Sequence, residues 1–235
     1  MSVILSEILL LPYVAKLLIV IAIAYFFGAI PWSLIVGKLF FRIDLRQVGS
    51  GNLGTTNAFR ILGAKAGIAV LILDMAKGAL SVILARYLAG AMTTYTSDAQ
   101  GWLMIAAALA AIVGHTASPY VKFRGGKGAA TTAGVMLALL PMVFIIAITI
   151  FVLIVALIRY VSVATLTVAI SFPLWTILFY PHLPYILLSL VVAIIVTYAH
   201  RANIKRLREG SEARFSWRGR GSGRSEDSRR DDGTD

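Results

Sequence analysis

No cysteine occurs in the 235 residues, which excludes disulfides, thiolate metal sites and a cysteine nucleophile. Acid is scarce outside the C-terminal tail. Residues 1–200 hold four carboxylates, Glu7, Asp44, Asp74 and Asp98, against twelve Lys and Arg. The other seven acids and ten basic residues fall in 201–235. Charged residues make up 14% of the chain and hydrophobic residues 59%, against about 25% and about 45–50% in soluble domains. That balance excludes disorder for most of the chain and argues against a water-soluble globule. No paired acids, no metal-ligand cluster and no Ser-His-Asp set stand out, so neither a metal nor a cofactor is expected. The formal charge of +11 is not a nucleic-acid signal. The basic residues outside the tail sit between apolar runs, where the positive-inside bias places them in membrane proteins.

The apolar runs are long. The first covers Leu17 to Phe41, broken only by Lys38, with a kink expected at Gly28 and Pro31. Others cover about Ile61–Gly90, Trp102–Val113, Tyr160–Tyr180 and Leu183–Ala199. Gly128 to Ile158 carries no charge over 31 residues, about 46 Å of helix at about 1.5 Å per residue. A bilayer core needs about 20 helical residues. The reading is an all-α, polytopic integral membrane bundle of about seven segments, some of them short or half-helices.

Charge then assigns sides. The Arg42–Arg60 and Lys122–Lys127 linkers, Arg159 and the tail are basic; the 90–101 linker and the Pro181–Pro184 turn have no Lys or Arg. The bias puts the first set in the cytoplasm and the N-terminus outside. Residues 128–158 must then leave the cytoplasmic side and return, with a turn near Leu140-Pro141. The alternative is one tilted helix with Arg159 outside. Half-helices at membrane depth need protein or a wet cavity to satisfy their ends, so a cavity is expected. Trp32, Trp102, Tyr25, Tyr180 and Tyr185 fall near expected interfaces, and His182 lies on an outer turn.

Three polar clusters land on the cytoplasmic side. The first is Gly49-Ser50-Gly51-Asn52-Leu53-Gly54-Thr55-Thr56-Asn57, then Arg60. Its glycines let several N–H groups point one way, as in anion-binding nests. Thr55 or Thr56 can cap the following helix, and Asn57 and Arg60 share a face. The Gly-Lys-Ser/Thr ending of a P-loop is absent. The second is Gly114-His115 and Lys122-Phe123-Arg124-Gly125-Gly126-Lys127-Gly128, again a glycine nest before a helix N-terminus. The third runs from His200 to Leu207 and includes Asn203, with Gly210 and Glu212 beyond. His200 and Asn203 face inward while Arg201, Lys205 and Arg208 face headgroups. An ordinary basic juxtamembrane stretch accounts for the arginines, but not for the inward pair. Asp74 and Lys77 lie mid-membrane, paired with each other or bracing Lys127 or Arg60. Ser162 and Thr165 add hydroxyls at the same end.

These clusters suit a phosphate-bearing substrate and a second anion or apolar chain. Chemistry there would run by positioning and electrostatics on a substrate with a good leaving group. Ser50 through Arg60, Gly125-Gly126-Lys127-Gly128-Ala129-Ala130-Thr131, and His200 through Leu207 with Gly210 and Glu212 closely resemble the PlsY family, as do Gly114-His115 and the Asp74–Gly78 stretch. The resemblance covers about residues 17–215. It departs at Thr55, Arg124, Ala129 and the Ser162–Thr165 stretch. It implies seven membrane segments in a bacterial cytoplasmic (inner) membrane, with the active site on the cytoplasmic face. It implies acyl transfer from acyl phosphate, not acyl-CoA or acyl-carrier protein, to the sn-1 hydroxyl of glycerol 3-phosphate. The products would be lysophosphatidate and inorganic phosphate. A partnership with the soluble acyltransferase that makes acyl phosphate is also implied.

The candidate catalytic residues are Lys127, His200 and Arg60. Candidate substrate contacts are Ser50, Gly51, Asn52, Asn57, Gly125, Gly126, Gly128, Thr165 and Asn203. Asp74, Lys77, His115, Ser162 and Glu212 support them. Which cradle takes which phosphate is open, as is the identity of the base. Two other readings compete: a phosphate or organophosphate transporter, which would usually show internal repeats, and a lipid-binding scaffold. The domain reading is 1–212 in the membrane and 213–235 a disordered, charged cytoplasmic tail.

Overall fold

The structure, a computed structural model, describes residues 12–88 and 98–215. Ten α-helices follow in order among them: α1 Tyr13–Gly28, α2 Trp32–Phe41, α3 Thr55–Leu62, α4 Ala64–Leu88, α5 Asp98–Thr116, α6 Ala129–Leu139, α7 Pro141–Ile158, α8 Val161–Phe179, α9 Leu183–Ala199 and α10 Arg201–Arg208. A short 3-10 turn at Pro119–Val121 leads into the Lys122–Gly128 loop. Most of these helices are apolar all round, as a membrane requires. On α7 only Val143 and Ala147 are buried, so nearly its whole surface is left for lipid.

By length and composition, Tyr13–Phe41, Ala64–Leu88, Gly101–Val121, Pro141–Ile158 and Val161–Phe179 can each cross a membrane. Leu183–Ala199 with α10, bent by 56°, makes a sixth, and α6 is a shorter apolar helix. The kink expected at Gly28 and Pro31 is present, with Ala29, Ile30 and Pro31 between α1 and α2 inside the span Tyr13–Phe41. The break expected at Leu140-Pro141 is present, with Pro141 opening α7 as a proline at the first helical position can.

Residues 128–158 therefore form a hairpin rather than one helix. Arg86, in the last turn of α4, donates to Ala138 O at the end of α6. Met142 N, at the start of α7, is 3.4 Å from Tyr180 Oη beyond the end of α8. Arg159, after α7, comes back to the segment that follows α10: Phe215 N donates to its carbonyl at 2.6 Å. α6 has 11 residues, about 16 Å, roughly half of a bilayer core of about 30 Å. Near its end, Ala138 O is met by Arg86 and Met136 O by Leu140 N, which is how a half-helix can end among apolar neighbours.

Close backbone contact holds the bundle, as expected where lipid removes the hydrophobic drive between helices. A Cβ added at Gly78 of α4 would lie 2.2 Å from Thr131 O, and one at Gly134 of α6 would lie 1.9 Å from Met75 O. Gly28 and Gly114 pair α1 with α5 in the same way, against Ala111 and Tyr25 backbone. Gly78→Val should destabilise the protein by at least the about 1–3 kcal/mol of a forced overpacking, because backbone cannot yield as a side chain can. A thermal melt of the purified variant checks this, and a wild-type midpoint would contradict it.

Tyr25 and Tyr185 are not simple interface residues. The Tyr25 hydroxyl donates to Ala117 O at 2.9 Å, and Tyr185 is buried against Tyr180. Two residues just past the boundary expected at 212/213 make contacts with the helices. Arg214 Nε donates to Tyr160 Oη at 3.3 Å, and the Phe215 ring meets Phe59 edge-on at 5.7 Å. The rest of the expected tail, 216–235, lies outside the described residues.

Candidate active site

The first glycine loop is shaped by left-handed backbone at Gly49 and Gly51, with φ of 64° and 68°. Buried Asn57 holds it. Its Oδ1 accepts from Ser50 N at 3.0 Å, and its Nδ2 donates to Leu45 O and Val48 O, each at 3.2 Å. Both amide hydrogens and one lone pair of Oδ1 are thereby used to fix the shape of the loop. Gly54, not Thr55 or Thr56, is the N-cap of α3, with no side-chain cap; Thr55 is already helical. Ser50 is exposed on the loop, Gly51 and Asn52 are half-buried, and Arg60 stands in the last turn of α3.

The second loop crosses the first. Gly125 N donates to Thr116 O at 3.1 Å and Gly126 N to His115 O at 3.0 Å. A Cβ at Gly126 would lie 2.6 Å from Leu53 O of the first loop. Gly128, with φ 80°, then turns the chain into α6. Lys127 is thus delivered by a loop that only glycine can build.

Lys127 Nζ donates to Asn203 Oδ1 on α10. Asn203 Nδ2 donates to Glu212 Oε1 at 2.6 Å, and Arg206 Nε donates to Glu212 Oε2 at 2.7 Å. Burial pushes the Glu212 carboxyl up, but the hydrogen bonds from Asn203 and Arg206 and the nearby Arg206 charge outweigh it and hold it below the usual range. The buried Ser162 hydroxyl has no hydrogen-bond partner among the described residues. Burial, and then the Arg206 guanidinium, push the Lys127 ammonium down to about 8; Glu212 opposes this and Arg60 adds to it. Arg60, Lys127 and Arg206 against Glu212 leave two net positive charges in one place, a match for a phosphate dianion.

His200 sits at the bend between α9 and α10, buried, with Lys127 and Glu212 as its charged neighbours. Its Nδ1 lies 2.8 Å from Val196 O, which can only accept, so Nδ1 carries the hydrogen and Nε2 of the neutral ring keeps a lone pair. Thr165 Oγ1 donates within its own helix to Val161 O at 2.9 Å, so its hydrogen is turned from the site.

Asp74, Lys77 and His115 do not reach Lys127 or Arg60. They form their own buried set, with Lys77 Nζ 2.9 Å from Asp74 Oδ1 and 2.8 Å from His115 Nδ1. Arg206 was not among the expected site residues. The signal was present: Asn203 and Arg206 are three apart, one face of a short helix. Arg201, Lys205 and Arg208 are exposed on the other face, as expected.

A cationic, glycine-lined site at the buried end of a half-helix defines an integral membrane protein that handles phosphate esters. The family described as "Glycerol-3-phosphate acyltransferase" matches residues 18–210, and the chain belongs to that family. The glycerol-3-phosphate acyltransferase of Chlorobium luteolum is 38% identical over 228 residues, covering 86% of this chain and 97% of that protein. The enzyme of the same name from Fusobacterium nucleatum is 40% identical over 199 residues, covering 84% and 97%. The crystal structure of PlsY, an integral membrane glycerol 3-phosphate acyltransferase, in its glycerol 3-phosphate form superposes with a TM-score of 0.77 at 34% identity. That match covers 85% of this chain and 96% of the other. The lysophosphatidic acid form gives 0.75 at 32% identity, covering 86% and 96%.

Proposed function

We propose that this protein transfers an acyl group from acyl phosphate to the sn-1 hydroxyl of glycerol 3-phosphate, giving lysophosphatidate and inorganic phosphate. The observation that carries the reading is the convergence of Arg60, Lys127 and Arg206 with Asn203 and His200 beside the α6 N-terminus. The related PlsY structures in glycerol 3-phosphate and lysophosphatidic acid forms support the acceptor and the product. The paucity of nucleophiles and metal ligands supports an activated donor whose leaving group is phosphate. The site opens to the cytoplasm of a bacterial inner membrane, with the N-terminus outside. The donor comes from the soluble enzyme that makes acyl phosphate.

In the reaction, the acceptor oxygen attacks the acyl carbonyl carbon. The new C–O ester bond forms as the C–O bond to phosphate breaks. Lys127, beside the N-terminus of α6, holds one phosphate, while Gly125 and Gly126, whose N–H groups are given to Thr116 O and His115 O, shape the loop that carries it; Arg60, with the Ser50 loop, His200 and Asn203, holds the other substrate. The hydroxyl proton goes to a substrate phosphate oxygen or to His200 Nε2. No acyl-enzyme forms.

The pH dependence follows from Lys127. Its ammonium is charged below about 8 and neutral above, so kcat/KM should fall as pH rises through that value, well below an ordinary lysine. Lys127→Arg, always charged, should remove this limb while lowering the overall rate. A basic limb unchanged in that variant would contradict the assignment. The donor is tested by incubating purified protein in lipid with glycerol 3-phosphate and either palmitoyl phosphate or palmitoyl-CoA. sn-1 lysophosphatidate should form from the phosphate alone. Product from palmitoyl-CoA alone would overturn the reading.

A further inference from the structure

The buried Asp74, Lys77 and His115 take no part in the reaction just described, yet they are placed under its most constrained loop. Lys77 has three ammonium hydrogens and three acceptors around it: Asp74 Oδ1 at 2.9 Å, Ile30 O at 2.9 Å and His115 Nδ1 at 2.8 Å. Each of the three side chains is at least nine-tenths buried. Because His115 Nδ1 accepts from Lys77, the neutral ring carries its hydrogen on Nε2. That nitrogen is turned to the glycine loop: a Cβ at Gly126 would come within 2.1 Å of it.

Neutralising Asp74 needs only Lys77. The histidine is superfluous for that purpose, and a polar ring is costly to bury in a membrane protein. Its place makes sense through what it touches. The main chain of His115 and Thr116 bonds Gly126 and Gly125, and the ring closes over the same glycine. Leu53 O of the first loop meets Gly126 from the other direction. Next to Lys77, Gly78 presses on Thr131 O in the first turn of α6. The α1–α2 break, α4 and the end of α5 therefore meet at one ammonium group, and the start of α6 packs on the adjacent Gly78.

We propose that His115, held by Lys77 and Asp74, is a positioning residue that sets the place of Lys127 by fixing the Gly125-Gly126 loop against the first glycine loop. It touches no substrate and acts through the loop alone. The inference rests on the reading of Lys127 as a substrate-phosphate ligand.

The test is a double-mutant cycle on the purified full chain, with palmitoyl phosphate and glycerol 3-phosphate. His115→Asn keeps an acceptor for Lys77 but removes the ring edge from Gly126. It should lower kcat at least tenfold, leave KM for glycerol 3-phosphate within about threefold, and leave the melting midpoint near wild type. In a Lys127→Ala background the same substitution should cost less than twofold, because the group it positions is gone. Equal losses in both backgrounds would overturn the proposal, as would wild-type kcat in His115→Asn. Should His115→Asn fail to fold, His115→Gln, which also keeps an acceptor and removes the ring, replaces it in the cycle, with the same expectation and the same contradicting result. Near-wild-type turnover in Lys127→Ala alone would instead sink the underlying site reading.

Discussion

Lys127→Ala is expected to cut turnover well over tenfold. Removing a charged donor aimed at developing negative charge costs about 2–4 kcal/mol, and at about 1.4 kcal/mol per factor of ten the lower figure already gives roughly thirtyfold. Lys127 stands at the N-terminus of α6, bonds Asn203 and lies in the field of Arg60 and Arg206, so no neighbour duplicates its position. Asn203 and Glu212 would keep their mutual bond, so the fold should survive. The variant is checked by steady-state kinetics beside a thermal melt. Normal turnover with a normal melt would remove Lys127 from the site.

Asp74→Ala is expected to destabilise by about 3–5 kcal/mol, the cost of leaving a buried charge without its counter-ion. Lys77 would retain only Ile30 O and His115 as neutral partners among the contacts described. Removing both charges, with Asp74→Ala and Lys77→Met together, should recover much of the melting midpoint, because replacing a buried pair by apolar groups is often near neutral. Turnover should stay low in the double variant, since His115 would lose the group that holds its ring. A wild-type midpoint in Asp74→Ala would show that the pair is not buried in the membrane as described.

Much of this was legible in the sequence, for reasons that differ by feature. The long helices follow from uninterrupted apolar runs. The α6–α7 hairpin follows from a charge argument: basic residues flank 128–158 on both ends, and a straight helix would separate them. The glycine loops were readable because Lys127 sits among Gly125, Gly126 and Gly128 where a plain basic loop has no need of them. What stayed hidden depends on contacts distant in sequence. Lys77 and His115 are 38 residues apart, and nothing local says that one accepts from the other. Asn57 has the type and place of a substrate contact; that it also bonds the backbone of 45–50 is a matter of fold. Arg206 was masked by its basic neighbours, and only the bond to Glu212 separates it from Arg201, Lys205 and Arg208. The contacts of Arg214 and Phe215 are hidden for the same reason: their partners Tyr160 and Phe59 belong to other elements.

Direct transfer from acyl phosphate at the Lys127 site, as proposed, ties phosphate release to product. The decisive measurement is of phosphate released and lysophosphatidate formed by the purified protein in lipid. Palmitoyl phosphate is supplied with and without glycerol 3-phosphate. Phosphate should be released only when glycerol 3-phosphate is present, one for each lysophosphatidate formed, and both should be lost in Lys127→Ala. Phosphate released without the acceptor, in a burst matching the amount of enzyme, would reveal an acyl-enzyme and contradict direct transfer.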